Sequence, residues 1–216
     1  MGDPPSRLIA ILAGGRGRRM GGVDKAFLPF RGAPMIAHLI ARLEPQAGTL
    51  VINSNADPAA FAAFGFPVLP DTIPDRPGPL AGVVAALDCA GSRGIEQVIT
   101  VPVDLPFVPL GLVRHLADVL GSATIACAAS RGRRHGIVAL WPSTLAAALR
   151  RMVVDEGIRR VDDALARWPV AVAEFADAGP DPFLNLNRPE DLAAAERVAG
   201  GMDRLATRQS SADNLD

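Results

Sequence analysis

Cysteine is scarce in this chain: Cys89 and Cys127 are its only two in 216 residues, and their spacing does not suit a shared metal. That excludes a zinc site and predicts two buried free thiols. Surplus charge is missing too. Lys and Arg number 22 against 23 Asp and Glu, a formal net charge of −1, which gives no basic surface for nucleic acid. Every apolar run is short and broken by Pro, Gly or a charge, so none reads as a membrane span. Met1-Gly2-Asp3-Pro4-Pro5 lacks the charged and apolar regions of a signal peptide, which predicts a cytoplasmic protein. His38 and His115 fall within helical stretches and read as packing or surface residues.

What the chain does have is 49% apolar residues, enough for one compact α/β domain with a real core. Charge is concentrated in one place. Directly after the apolar run Leu8–Leu12 comes a segment with five glycines (Gly14, Gly15, Gly17, Gly21, Gly22) and four cations (Arg16, Arg18, Arg19, Lys25). Glycines let the backbone turn tightly and bring N–H groups against an anion, so the segment looks like a phosphate cradle. A solvated surface turn is the competing account. It is not a P-loop, because Lys25 is followed by Ala26 instead of Ser or Thr. A dinucleotide fingerprint would need a glycine where Met20 stands.

Apolar β-rich segments alternate with helical ones along the chain, the pattern of a mostly parallel sheet with helices on both faces. Strands are predicted at Leu8–Leu12, Thr49–Asn53, Pro67–Leu69 and Gln97–Val103, with a short extended piece at Phe27–Phe30. Helices are predicted from Pro34 to Leu43, over Pro58–Phe64, Leu80–Cys89 and Leu110–Leu120. Further on, strands near Thr124–Ala128, Gly136–Trp141 and Val170–Phe175 flank helices from Ser143 and from Gly157. Asn187-Arg188-Pro189-Glu190 reads as a capping box for a last helix through Val198, and Thr207–Asp216 as a disordered tail. A single domain over 1–200 is expected, with no repeat and no separating linker.

In an open parallel sheet the carboxyl ends of all strands share one edge, and ligands bind in the crevice outside it. The loop from Ala13 to Lys25, then Asn53 and Asn55, then Asp71, then Asp104 would therefore line a single cleft. A carboxylate closing a buried strand, as Asp104 does, is the hard oxygen ligand that Mg2+ uses; the alternative is a helix cap for the segment near Pro109. For Asp71, a turn-forming role competes with contact to a nucleoside. The turn Asp75–Gly82 leads into a helix, and Gly78 and Gly82 would permit close approach by a base or a phosphate. His135, in Arg131-Gly132-Arg133-Arg134-His135, reads as part of a solvated basic loop more readily than as an anion contact.

Four motifs in this order carry a resemblance: Leu-Ala-Gly-Gly…Arg-Met-Gly-Gly-x-Asp-Lys at 12–25, Pro-Gly-Pro-Leu-Ala-Gly at 77–82, Asp-x-Pro at 104–106 and Asn-x-Asn-x-Pro-Glu-Asp at 185–191. The chain resembles the molybdenum cofactor guanylyltransferases over nearly its whole length. Related cytidylyltransferases differ at the Pro-Leu-Ala-Gly turn, so residues 79–82 favour guanine. The resemblance implies a Rossmann-like three-layer nucleotidyltransferase fold, with a nucleotide-binding half of about 6–106 and an acceptor-binding half of about 107–200. It implies transfer of GMP from Mg-GTP to the terminal phosphate of molybdopterin, with other cofactor-biosynthesis proteins and molybdoenzyme chaperones as transient partners. By that likeness Leu12, Ala13, Gly14, Gly15, Lys25, Asn53, Asp71, Gly82 and Asp104 would bind GTP, with Asp104 also holding Mg2+. Arg19, Lys25 and Asp104 would be catalytic, and Asn185 and Asn187 would contact the acceptor. The alternatives are a nucleotidyltransferase of the same fold with another base or a sugar-phosphate acceptor, and a nucleotide carrier without turnover.

Overall fold

A computed structural model describes residues 6–14, 24–75, 78–175, 181–186, 191–193 and 195–196. The chain begins with β1 (Arg7–Leu12), a 3-10 turn at Lys25–Phe27, the short strands β2 (Pro29–Phe30) and β3 (Ala33–Pro34), and α1 (Met35–Leu43). It continues through β4 (Thr49–Asn53), a 3-10 stretch at Pro58–Phe64, β5 (Val68–Leu69), α2 (Pro79–Ser92), β6 (Gln97–Pro102) and α3 (Leu112–Leu120). The remaining elements are β7 (Ile125–Ser130), β8 (Arg133–Pro142), α4 (Ala146–Val154), α5 (Val161–Leu165) and β9 (Val170–Glu174). Residues 191–193 and 195–196 are helical, within the predicted last helix.

Seven strands form one sheet in the order β5-β4-β1-β6-β8-β7-β9. All pairings are parallel except the two made by β8, which runs against β6 on one side and β7 on the other. Strand residues alternate between the two faces, and both faces are apolar because each is covered. Ile9 and Ile11 of β1 meet Ile36, Leu39 and Leu43 of α1 and Leu112 and Leu116 of α3. Leu8 and Ala10 face the other way, toward Leu80, Val83 and Val84 of α2, Leu149 of α4 and Leu165 of α5. A third small cluster, Phe30 and Met35 with Leu186 and Ala195, fastens the C-terminal segment beside α1. The result is a three-layer α/β fold.

Several local expectations need correction. Phe27 is not extended: Asp24 accepts a hydrogen bond from Ala26 N at 3.0 Å and winds Lys25–Phe27 into a 3-10 turn. Burial dominates at Asp24 and raises its carboxyl above the usual range, against the opposing Ala26 hydrogen bond. The helix expected from Gly157 begins only at Val161, since Gly157 sits at φ +69°, outside helical space. The segment near Pro109 starts its helix after Gly111, so Asp104 is not its cap. Cys127 is buried as expected, and burial pushes its thiol up to about 11, with Arg134 opposing. Cys89 is only half-buried. No helix among the described residues is long and apolar enough to cross a membrane.

Thr100, in the middle of β6, joins two strands through its side chain. Its hydroxyl donates to Ile137 O at 2.6 Å and accepts from Nε1 of the fully buried Trp141 at 2.9 Å. Thr100→Val keeps the shape and strands both partners. Leaving buried polar groups unpaired costs about 1 to 3 kcal/mol, so a melting temperature roughly 2 to 12 °C lower is expected in a thermal melt.

Candidate active site

Strands β5, β4, β1 and β6 are parallel, so the residues that follow them crowd one edge. Backbone bonds hold those ends together: Ala13 N donates to Asn53 O at 2.8 Å, Ser54 N to Leu69 O at 2.9 Å, and Val103 N to Leu12 O at 3.1 Å. A cleft of about 790 Å³ opens there, with Leu12, Gly14, Lys25, Asn53, Asp71 and Asp104 on its wall. The turn into α2 completes it with Asp75, Gly78, Pro79 and Gly82, and β8 adds Ile137.

One side of the cleft is an amide–carboxylate cluster. Asn53 is 2% exposed, and its Nδ2 donates to Asp71 Oδ1 at 3.0 Å and to Leu69 O at 3.1 Å. Asn55 Nδ2 donates to Asp71 Oδ2 at 2.6 Å, and Asp71 N returns a bond to Asn55 Oδ1 at 2.9 Å. Both oxygens of Asp71 are thus oriented by amides, which leaves each one lone pair for a further donor. Helix α2 presses on this cluster through Gly82. A Cβ there would stand 2.3 Å from Asn53 Oδ1 and 3.1 Å from Leu12 Cδ2, so only glycine lets the helix come this near.

The other side is an ion pair. Lys25 Nζ donates to Asp104 Oδ2 at 2.7 Å, and the two side chains are 18% and 10% exposed. Lys25 opens the 3-10 turn after the glycine loop, and Asp104 stands two residues past β6. Asp104 Oδ1 is buried and has no hydrogen-bond partner among the described residues. An ionised oxygen that is taken from water and left unpaired calls for a cation or a donor from outside the chain. A hard divalent ion such as Mg2+ fits one carboxylate when water and phosphate oxygens supply the other ligands. Among the described residues no group of three or more His, Cys, Asp or Glu could hold a metal unaided.

The structure therefore brings together Leu12, Gly14, Lys25, Asn53, Asp71, Gly82 and Asp104, and buries Ala13 beside Asn53. Asn185 is described but exposed, and it does not line the cleft. It is tied to the site through its neighbour, since Leu186 N donates to Asp104 O at 3.0 Å. Gly15, Arg19 and Asn187, with the capping box and the tail, lie outside the described residues. Ile137 was missed because an apolar residue on an antiparallel strand carries no chemical signal in the sequence. Arg131, Arg133 and Arg134 are exposed, as a solvated basic loop requires, but His135 is half-buried with its Nε2 2.9 Å from Ser130 Oγ. His38 and His115 hold backbone, with Nε2 at 2.6 Å from Phe30 O and 3.0 Å from Glu174 O.

Comparison with known proteins bears on the family and the fold. The MobA-like NTP transferase domain family matches residues 9–168. The molybdenum cofactor guanylyltransferase of Rhodopseudomonas palustris (strain BisB5) is 46% identical over 203 residues, 92% of this chain and 97% of that protein. The protein of the same name from Bradyrhizobium sp. (strain ORS 278) is 45% identical over 200 residues, 91% of this chain and 94% of its own. The crystal structure of molybdopterin-guanine dinucleotide biosynthesis protein A from Archaeoglobus fulgidus shares the fold. Its TM-score is 0.71 at 23% identity, covering 90% of this chain and 99% of that one. With the family match spanning the sheet edge that forms the cleft, and relatives aligned over almost their full length, the chain belongs to the molybdenum cofactor guanylyltransferase family of nucleotidyltransferases.

Proposed function

We propose that this protein transfers GMP from Mg-GTP to the terminal phosphate of molybdopterin, releasing pyrophosphate and forming the guanine dinucleotide form of the cofactor. The observation that carries this reading is the buried Asp104 Oδ1, without a hydrogen-bond partner among the described residues, beside Lys25 in a cleft whose opposite wall is the Asn53–Asn55–Asp71 cluster. The relatives named molybdenum cofactor guanylyltransferases support guanine as the base and the molybdenum cofactor as the acceptor.

The acceptor phosphate is already an anion, so no strong general base is needed. What opposes reaction is repulsion between two polyanions. When bound at Asp104, Mg2+ would draw negative charge from the phosphates and the departing pyrophosphate. Asp104 would hold the ion through Oδ1 while keeping Lys25 on Oδ2, so that Lys25 brings its own charge to the triphosphate. Arg19 would add a second protein cation, and the backbone at Leu12, Ala13, Gly14 and Gly15 would cradle the phosphates. Asn53 and Asp71, locked by mutual hydrogen bonds, would orient the nucleoside without reorganising. Gly82 would hold α2 against them. Asn185 and Asn187 would serve the acceptor, in the half of about 107–200. Hand-over of product to other cofactor-biosynthesis proteins or molybdoenzyme chaperones, in the cytoplasm, completes the reading. The free thiols of Cys89 and Cys127 suit that compartment.

The direct test is to incubate the protein with Mg-GTP and molybdopterin and look by mass for a pterin carrying GMP. GTP should support it while ATP, CTP and UTP should not. Asp104→Ala should lower turnover by roughly a hundred to a thousandfold, the loss of about 3 to 4 kcal/mol of transition-state stabilisation. Pyrophosphate release titrated with Mg2+ checks this, and near-normal metal-dependent turnover would remove Asp104 from the mechanism. Gly82→Ala should raise the KM for GTP about tenfold or more with little change in the KM for molybdopterin. The new methyl displaces the Asn53 amide, an overpacking cost of about 1 to 3 kcal/mol.

A further inference from the structure

A part-buried polar chain lies outside the cleft yet on the same sheet edge. Ser130 ends β7, which runs parallel to β6, and His135 stands near the start of the intervening antiparallel β8. Both therefore sit on the edge that carries Asp104, Ser130 two strands from β6, or roughly 10 Å at the usual strand spacing. Ser130 is fully buried, and its hydroxyl donates to Asp181 Oδ1 at 2.7 Å. A serine has one hydroxyl proton, and with it committed to Asp181 the proton in the 2.9 Å contact to His135 must come from His135 Nε2. Asp181 Oδ1 also accepts from Phe183 N at 3.0 Å, and the Phe183 ring lies 4.8 Å from the His135 ring.

Every bond in this chain is directional. The order is His135 to Ser130 to Asp181, and the carboxylate closes on the backbone of the segment it belongs to. Burial, aided by Arg133 and opposed by Asp181, lowers the pKa of His135 below its ordinary range. At Asp181 burial works upward, but the Ser130 and Phe183 hydrogen bonds, with His135 and Arg131, outweigh it and hold the carboxyl low. A carboxylate acceptor and an imidazole whose Nε2 donates agree with that order.

The segment 181–186 is held at both ends. Asp181 is fastened to Ser130, and Leu186 N donates to the carbonyl of Asp104 at 3.0 Å. Phe183 and Leu186 are both buried between these points, while Asn185 is exposed. A stretch of five peptide links reaches at most about 18 Å, so fixing both ends leaves Asn185 a narrow range of positions.

We infer that Ser130, His135 and Asp181 are positioning residues for the acceptor: their hydrogen-bonded chain anchors segment 181–186 so that Asn185 is presented beside Asp104. This rests on the proposed GMP transfer to molybdopterin and adds to it which residues of the acceptor half set acceptor affinity. None of the three touches the reacting atoms. Their effect passes through the backbone of 181–186.

The test measures steady-state transfer from Mg-GTP to molybdopterin, GTP binding by calorimetry, and amide hydrogen exchange, for the unchanged protein, Ser130→Ala, Asp181→Ala and Asp181→Asn. Ser130→Ala and Asp181→Ala should raise the KM for molybdopterin about tenfold, the effect of one lost hydrogen bond to a charged group, and leave the Kd for GTP within about twofold. The amides of Phe183, Leu184 and Leu186 should exchange at least about tenfold faster, with those of β6 unchanged. Asp181→Asn keeps an acceptor oxygen for Ser130 and Phe183 and should restore most of the acceptor affinity. A molybdopterin KM that stays near normal in both alanine variants would overturn the inference alone. So would an equal loss of GTP and molybdopterin affinity, which marks general loosening. No GMP transfer by the unchanged protein would overturn the functional reading, and this inference with it.

Discussion

A buried carboxylate oxygen without a hydrogen bond is costly, of order 1 to 3 kcal/mol and more when charged. Among the described residues Asp104 Oδ1 is in that condition, while its sister oxygen holds Lys25 at 2.7 Å. The carboxylate is thus only half satisfied among these residues, and that imbalance leaves Oδ1 suited to a cation or a donor from outside the chain. The rest of the cleft follows from placing this carboxylate opposite the Asn53–Asn55–Asp71 cluster. Parallel β1, β4, β5 and β6 do so by delivering Lys25's loop, Asn53, Asp71 and Asp104 to one edge. One ion pair 2.7 Å long thus joins residues 79 positions apart, and the cleft lies against it.

The amide–carboxylate wall and the ion-pair wall are stabilised differently. Asn53, Asn55 and Asp71 satisfy one another through side-chain bonds of 2.6 to 3.0 Å, which makes that wall rigid before any ligand arrives. Such preorganisation lowers the ordering cost of binding. The loop after β5 is steadied from outside as well. Arg150 of α4 donates to Thr72 Oγ1 at 2.8 Å and pairs with Asp88 of α2, and Thr72 Oγ1 donates to Asp88 Oδ2 at 3.0 Å. Thr72 adjoins Asp71, so two helices on the outer face brace the amide–carboxylate side of the cleft. These half-exposed contacts are worth little singly as charge pairs and more as geometry.

Much of the fold was legible because its periodicities are clean. The stripe Met35, Ile36, Leu39, Ile40, Leu43 could only be one face of a helix, and Val98–Val103 only a buried strand. Element ends were less so. The helix at Gly157 started late and Phe27 curled into a turn, because a single glycine φ or an Asp24 cap decides a boundary that apolar spacing does not register. Of the site, Asp71 and Asp104 carry charge just past strand ends, Lys25 closes the glycine-rich cationic segment, and all three announce themselves. Ser130 and Asp181 did not, since a lone serine in an apolar strand and an aspartate 51 residues later share no pattern until the chain is folded.

What the residues alone determined is the class of chemistry: a glycine-rich cationic segment behind a buried strand, with acidic and amide groups at later strand ends. Those are local facts, set by side-chain type and spacing. Which groups meet was decided by the tertiary structure alone. The 2.3 Å margin that reserves Gly82 for Asn53, the burial of the Asp104 carboxylate against Lys25, and the half-buried His135 inside a loop of solvated arginines are all properties of packing. Distance and burial arise only when separate stretches of chain exclude water together, and no linear pattern encodes them.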